Sequence, residues 1–220
     1  MRGHSLFFIL HAFALNLHMC NIFTTFAVGN KKAYTMAQEK VHITKQEHTQ
    51  DLIYWCAAIV VYLERMDEPT RTEFIDKMLY YLPLLYVKTK QLPRLRPMLE
   101  GEPERFVTEM DYNTIQQKVA SIFGSDDVYL EVFVEEMQYS DEPITAFISE
   151  NIADIYQELR DLCSNFQLDD DDVQNDALYA YVEAFEQHWG QKLLNVLRPL
   201  HMLSMMKESD LYDYSICSTY

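Results

Sequence analysis

Asp169-Asp170-Asp171-Asp172 is the densest run of carboxylates in the chain and has the donor chemistry of a calcium site. An EF-hand loop needs glycine at its sixth position and glutamate at its twelfth, and neither follows this run. Acids at a helix N-terminus are favoured by the macrodipole and by capping, so the run is read as a helix start. A second acidic set, Glu150, Asp154, Glu158 and Asp161, recurs at helical spacing opposite an apolar stripe, with Arg160 the one cation on that stretch. Like charges four apart repel mildly. The stripe is therefore either a solvated face or a candidate acidic surface for a partner. A di-metal centre in a bundle takes Glu-x-x-His from each of two helices, and this stretch holds no histidine.

The opposite asymmetry lies upstream. No acid occurs between Asp76 and Glu100, whereas Lys77, Lys88, Lys90, Arg94 and Arg96 supply five positive charges. Lys88, Lys90, Arg94 and Arg96 cluster at a helix end and a proline-bounded loop, a candidate site for an anion or an acidic partner segment. The structural alternative is that Lys88 and Lys90 complement the carboxyl end of their helix while the arginines pair with acids elsewhere. Trp189 and Lys192 form a candidate pocket between helices, although an aromatic beside a mid-helix glycine (Gly190) also marks close packing. His188 and His201 are expected at packing or surface positions. No nucleophile has an evident base beside it, and there is no His-Glu-x-x-His. His4, His11 and His18 recur every seven residues, about 10.5 Å along a helix, too far apart to share a metal. Cys20, Cys56, Cys163 and Cys217 lack the short spacing of a zinc site or a disulfide framework. No metal or cofactor is assigned.

These residues must be positioned by helices. Five glycines, widely scattered, leave no phosphate loop and too few turns for a β-sandwich. Leu52, Cys56, Ile59, Leu63 and Met66 share one face of a helix over about 45–66. Thr70-Arg71-Thr72-Glu73 has the form of a capping box and opens a second helix on Ile75, Met78, Leu82 and Leu85, which Pro83 is expected to kink or divide. A third runs from about Asp111 to Phe123 and stops at Gly124. Residues 126–139 alternate apolar and polar residues, which suits an extended segment as well as a short helix. Ser140-Asp141-Glu142-Pro143 then reads as a strong start for a fourth helix on Ile148, Ile152, Ile155, Leu159 and Leu162. A fifth follows the acidic run, from Val173 to Leu200, and Pro199 with the polar residues beyond Ser204 closes it. The expected fold is all-α, an antiparallel bundle of about five helices with one ambiguous extended segment near 126–139.

The chain has 220 residues, 49% hydrophobic, with 18 Lys and Arg against 34 Asp and Glu and a net charge of −16. A core is affordable, and binding to nucleic acid through phosphate contacts is disfavoured. The charge is uneven. Residues 1–35 hold Arg2, Lys31 and Lys32 and no acid, so they carry +3 and the rest carries −19. Leu6 to Val28 is a 23-residue apolar stretch interrupted by His11, Asn16, His18 and Asn21. It reads as a signal peptide, as an anchor, or as an extension upstream of a start at Met36. Residues 36–204 then form an acidic helical domain and 205–220 a flexible tail. Free thiols fit a reducing cytoplasm, with export or anchoring the alternative if residues 6–28 are a real segment.

Several segments resemble the uncharacterised bacterial family known as domain of unknown function 5063. They are Leu82-Pro83-Leu84-Leu85-Tyr86, Phe106-Val107-Thr108-Glu109-Met110-Asp111-Tyr112, Asp127-Val128-Tyr129-Leu130-Glu131-Val132-Phe133, Ser140-Asp141-Glu142-Pro143-Ile144, Ala153-Asp154-Ile155-Tyr156-Gln157 and Trp189-Gly190-Gln191-Lys192-Leu193. The resemblance covers roughly residues 49–203. It implies a cytoplasmic helical protein and brings no activity or site residue with it.

The sequence names no reaction. The expected function is that of a non-catalytic, acidic helical protein that binds another macromolecule, with a protein as partner and membrane contact only through residues 6–28. The alternative is a small-molecule sensor or enzyme holding an anionic ligand near Trp189 and Lys192. A third reading is a nucleic-acid mimic.

Overall fold

A computed structural model describes residues 42–131 and 144–206. The apolar stretch at 6–28, the histidines at 4, 11 and 18, Cys20 and Cys217, the expected helix start at 140–143 and the tail from 207 lie outside the described residues. After a 3₁₀ turn at Ile43–Lys45, the chain forms α1 (Glu47–Arg65), α2 (Arg71–Lys90) and α3 (Glu109–Phe123). A 3₁₀ turn (Gly124–Asp127) leads into β1 (Val128–Glu131), which pairs antiparallel with β2 (Ile144–Phe147), Val128 opposite Phe147 and Glu131 opposite Ile144. α4 (Ile148–Asn165), α5 (Asp171–Ala184) and α6 (Gly190–Met205) complete the bundle. α5 and α6 are one rod joined by a π-helical turn at Phe185–Trp189. No helix among the described residues is long and apolar enough to cross a membrane.

Local chemistry accounts for the ends. Thr70 and Glu73 close a capping box at α2, and Thr108 and Asp111 close a second at α3, which falls outside the Ser/Thr-x-x-Glu/Gln pattern because its acid is Asp. Each caps through its own backbone and hydroxyl bonds, and these hold the Glu73 and Asp111 carboxyls below their ordinary pKa. Asp170 accepts from the amides of Asp172 and Val173 and caps α5, so the acidic run does open a helix.

Three expectations are narrowed or corrected. α2 is not divided at Pro83, whose ring lies on the exposed side, where solvent can serve the carbonyl freed by the missing N–H. α6 likewise continues past Pro199 to Met205. α4 begins at Ile148, not near 140–143. Its start is served from a distance: buried Asp127 accepts from Ser149 N at 2.8 Å and Ser149 Oγ at 2.6 Å. The residues before it pair as β2, so the ambiguous segment supplies a strand at 128–131.

α4 is the central helix, packed by α1, α3, α5 and α6, with 13 of its 18 residues buried. Leu52, Leu63, Phe74, Met78, Leu159, Trp189 and Val196 fill the core around it. Cys56 and Cys163 are free and buried, and burial raises both thiols, Cys163 to about 12. At the π turn, Trp189 packs edge-on against Phe185 with centroids 4.7 Å apart and donates Nε1–H to the Tyr181 carbonyl at 3.3 Å.

Gly190 is what admits this turn. A Cβ there would collide with the Phe185 carbonyl oxygen and crowd its ring at 3.0 Å. Gly to Ala inside a helix ordinarily stabilises by about 1 kcal/mol. For Gly190→Ala the sign reverses, and urea unfolding monitored by circular dichroism is expected to show a lower midpoint than wild type.

Candidate functional site: a pinned strap and its cleft

Between Lys90 and Glu109 the chain has no regular structure, yet it crosses the bundle in a defined path. An irregular segment lying against a core leaves backbone donors and acceptors that need partners. Buried polar residues on α4 and α5 provide them. Asp176, 5% exposed, accepts from Met98 N at 2.7 Å and Leu99 N at 2.8 Å. Asn175 Nδ2 donates to the Arg96 carbonyl at 2.8 Å and to Asp176 at 2.9 Å. Asp161, also 5% exposed, accepts from Phe106 N at 2.7 Å and Val107 N at 3.0 Å, and Arg105 reaches its other oxygen at 3.3 Å. Asn165 Nδ2 donates to the Glu104 carbonyl at 2.9 Å. Gly101, at φ +101°, takes a left-handed conformation between the two anchor points that suits glycine. Leu92, Leu95 and Val107 pack against the core. We call residues 91–108 the strap.

The sequence-derived candidates divide on this frame. Lys88 pairs with Asp51 on α1, and Lys90 lies 3.9 Å from Glu186. Arg94 and Arg96 are exposed on the strap and have no ion-pair partner among the described residues. The four basic residues therefore do not act as one free patch: two are engaged at the helix end and two are presented.

The acidic stripe is not a free face either. Asp154 accepts from Tyr112 Oη at 3.0 Å and pairs with Lys192, Glu158 pairs with Arg105 at 3.0 Å, and Asp161 holds the strap. Glu150 alone of the four is exposed without such a partner among the described residues. The physical reason is that α4 is central, so its polar side faces α3, α6 and the strap instead of water. Tyr112, facing Asp154 and partly buried, has its phenol raised by burial first and by that carboxylate second. Trp189 is fully buried and Lys192 is spent on Asp154, so these two do not frame an open pocket.

A cleft of about 240 Å³ does open elsewhere, between the strap, α4 and α5. Glu104, Arg105, Glu158, Asn165 and Glu183 bring its polar groups, and alanines of α5 form an apolar wall. Among the described residues no group of His, Cys, Asp and Glu has metal-binding geometry. The anchors Asn165, Asn175 and Asp176 were not singled out from sequence. Their one signal is polar residues at positions of α4 and α5 where the helical period runs inward.

Fold and site together define a helical bundle that holds a long irregular strap in fixed register. The chain belongs to the family described as domain of unknown function 5063, whose profile matches residues 44–206. A crystal structure of protein BF1032 from Bacteroides fragilis is similar, with 34% identity, a TM-score of 0.67, and coverage of 76% of this chain and 98% of that one. No curated protein shows significant similarity.

Burial by itself would raise the Asp176 carboxyl, but donation from Met98, Asn175 and Leu99 outweighs it and holds the group below the ordinary carboxylate value. A depressed folded pKa means stability that is present above the unfolded value, about 3.9, and is lost as pH falls through the folded one. Asp176→Ala is expected to cost about 1.5–3 kcal/mol at pH 7, the range for hydrogen bonds to a charged acceptor. That deficit should shrink at acid pH below about 4, read by urea unfolding at both values.

Proposed function

We propose that this protein is a non-catalytic, cytoplasmic interaction module that binds another protein through the strap, with Arg94 and Arg96 receiving an acidic segment of the partner. The observation that carries the reading is the contrast in how the cations are used. Lys88, Lys192, Arg71, Arg105 and Arg160 are engaged by carboxylates of the same chain. Arg65 and Arg198 are single exposed cations, whereas Arg94 and Arg96 stand exposed two residues apart on backbone fixed at Arg96, Met98 and Leu99. Guanidinium groups on pre-ordered backbone lose less freedom on binding, and arginine recognises carboxylates in bidentate fashion. Met98 and Leu99, 59% and 47% exposed, add apolar surface beside them, the mixture typical of an interface centre. The chain as a whole, at net charge −16, repels nucleic acid and nonspecific acidic partners, which leaves the acid-free first part of the strap, residues 91–99, as a local exception. Free, buried Cys56 and Cys163 support the cytoplasmic assignment.

The double variant Arg94→Glu/Arg96→Glu tests this. Because neither side chain has an ion-pair partner among the described residues, its melting temperature is expected to match wild type. Quantitative affinity capture should show at least one protein reduced by about tenfold or more, the scale of one lost charged hydrogen bond. Equal recovery of every co-purifying protein contradicts the reading.

A further inference from the structure

The cleft beneath the strap has a chemistry of its own, independent of Arg94 and Arg96. Asn165 lines it, is 2% exposed, and has both Nδ2 bonds committed, to the carbonyls of Glu104 and Asp161. These two acceptors fix the amide orientation and leave Oδ1 as a buried acceptor with no donor among the described residues. An orphaned buried carbonyl is costly, so a group that supplies N–H there is favoured.

The other polar groups select what that donor is. Glu104 and Glu183 are exposed at the rim and Glu158 lies deeper, and Arg105, the one cation of the lining, is already shared between Glu158 and Asp161. An anion would meet these carboxylates uncompensated. The opposite wall is aliphatic, formed by Ala177, Ala180 and Ala184, so the cleft pairs an apolar side with acceptors. Its volume, about 240 Å³, is below the roughly 300–1,000 Å³ of pockets for drug-sized ligands. What fits is an aliphatic stem that ends in a cationic donor.

We propose that the cleft between the strap, α4 and α5 is a binding site for an alkylammonium or alkylguanidinium group, its stem against the alanines and its head donating to Asn165 Oδ1 and the carboxylates. Such a group comes from a free amine or from a lysine or arginine side chain of a polypeptide.

Full-length protein would be titrated with diaminopentane, Nα-acetyl-lysinamide and Nα-acetyl-argininamide, with pentanol as the neutral control, by saturation-transfer NMR and calorimetry. Saturable one-to-one binding of a cationic probe, and none of pentanol, is expected. Tighter diamine binding identifies a free amine as the source, and tighter amide binding identifies a polypeptide side chain. Glu104→Gln/Glu183→Gln and, separately, Ala180→Leu are expected to weaken binding by about fivefold or more, the scale of one modest charge contact. Both variants spare the strap anchors, and unchanged unfolding midpoints would verify that they fold. The proposal is overturned if no cationic probe saturates below about 10 mM, a binding free energy under about 3 kcal/mol. It is equally overturned if pentanol binds as well as the amines, or if both folded variants bind as wild type does.

Discussion

The constraint on which this structure turns is that backbone polar groups lying against a core need partners. A strap from residue 91 to 108 without helix or strand cannot satisfy its own amides, and here two buried carboxylates on neighbouring helices do so. Asp176 takes two consecutive amides near the middle and Asp161 takes two near the end. Each carboxylate thereby recovers the hydrogen bonds it lost to water, which is the condition for burying a charge. Asn165 and Asn175 serve the Glu104 and Arg96 carbonyls, so the strap is held through both donors and acceptors of its backbone.

This use of acids explains how the charge of the chain is arranged. Carboxylates that look like surface on a helical wheel are consumed in joining elements: Asp154 to α3 and α6, Glu158 and Asp161 to the strap, Asp127 to the start of α4. Most cations are consumed with them. Among the cations left exposed is a short basic segment at Arg94 and Arg96 in an acidic protein, and residues 102–105 of the same strap line an acceptor-rich cleft. One set of anchors thus shapes two unlike surfaces.

The helices and their order were legible because their signals are local. The period of Leu52 to Leu63, the box at Thr70 and Glu73, and the aspartates before α5 each act within a turn or two of the residue that carries them. Expectations failed where the deciding partner is distant. The start of α4 depends on Asp127, which lies 22 residues from Ser149 in sequence, so the local pattern at 140–143 misleads about where the helix begins. The role of Asp161 depends on α4 being central, which no periodicity states. The strap anchors were invisible for the same reason, since Asp176 meets Met98 across 78 positions. Gly190 suggests close packing between helices from its sequence alone, but the contact that requires it is with Phe185 within the same π turn.

Amide hydrogen exchange at Met98, Leu99, Phe106 and Val107 tests the central claim most directly, because these four N–H groups are the ones the buried carboxylates accept from. A pinned strap predicts protection at these sites approaching that of the surrounding helices, with faster exchange at strap amides that have no such acceptor. Exchange of all four at the rate of an unstructured chain would contradict the account.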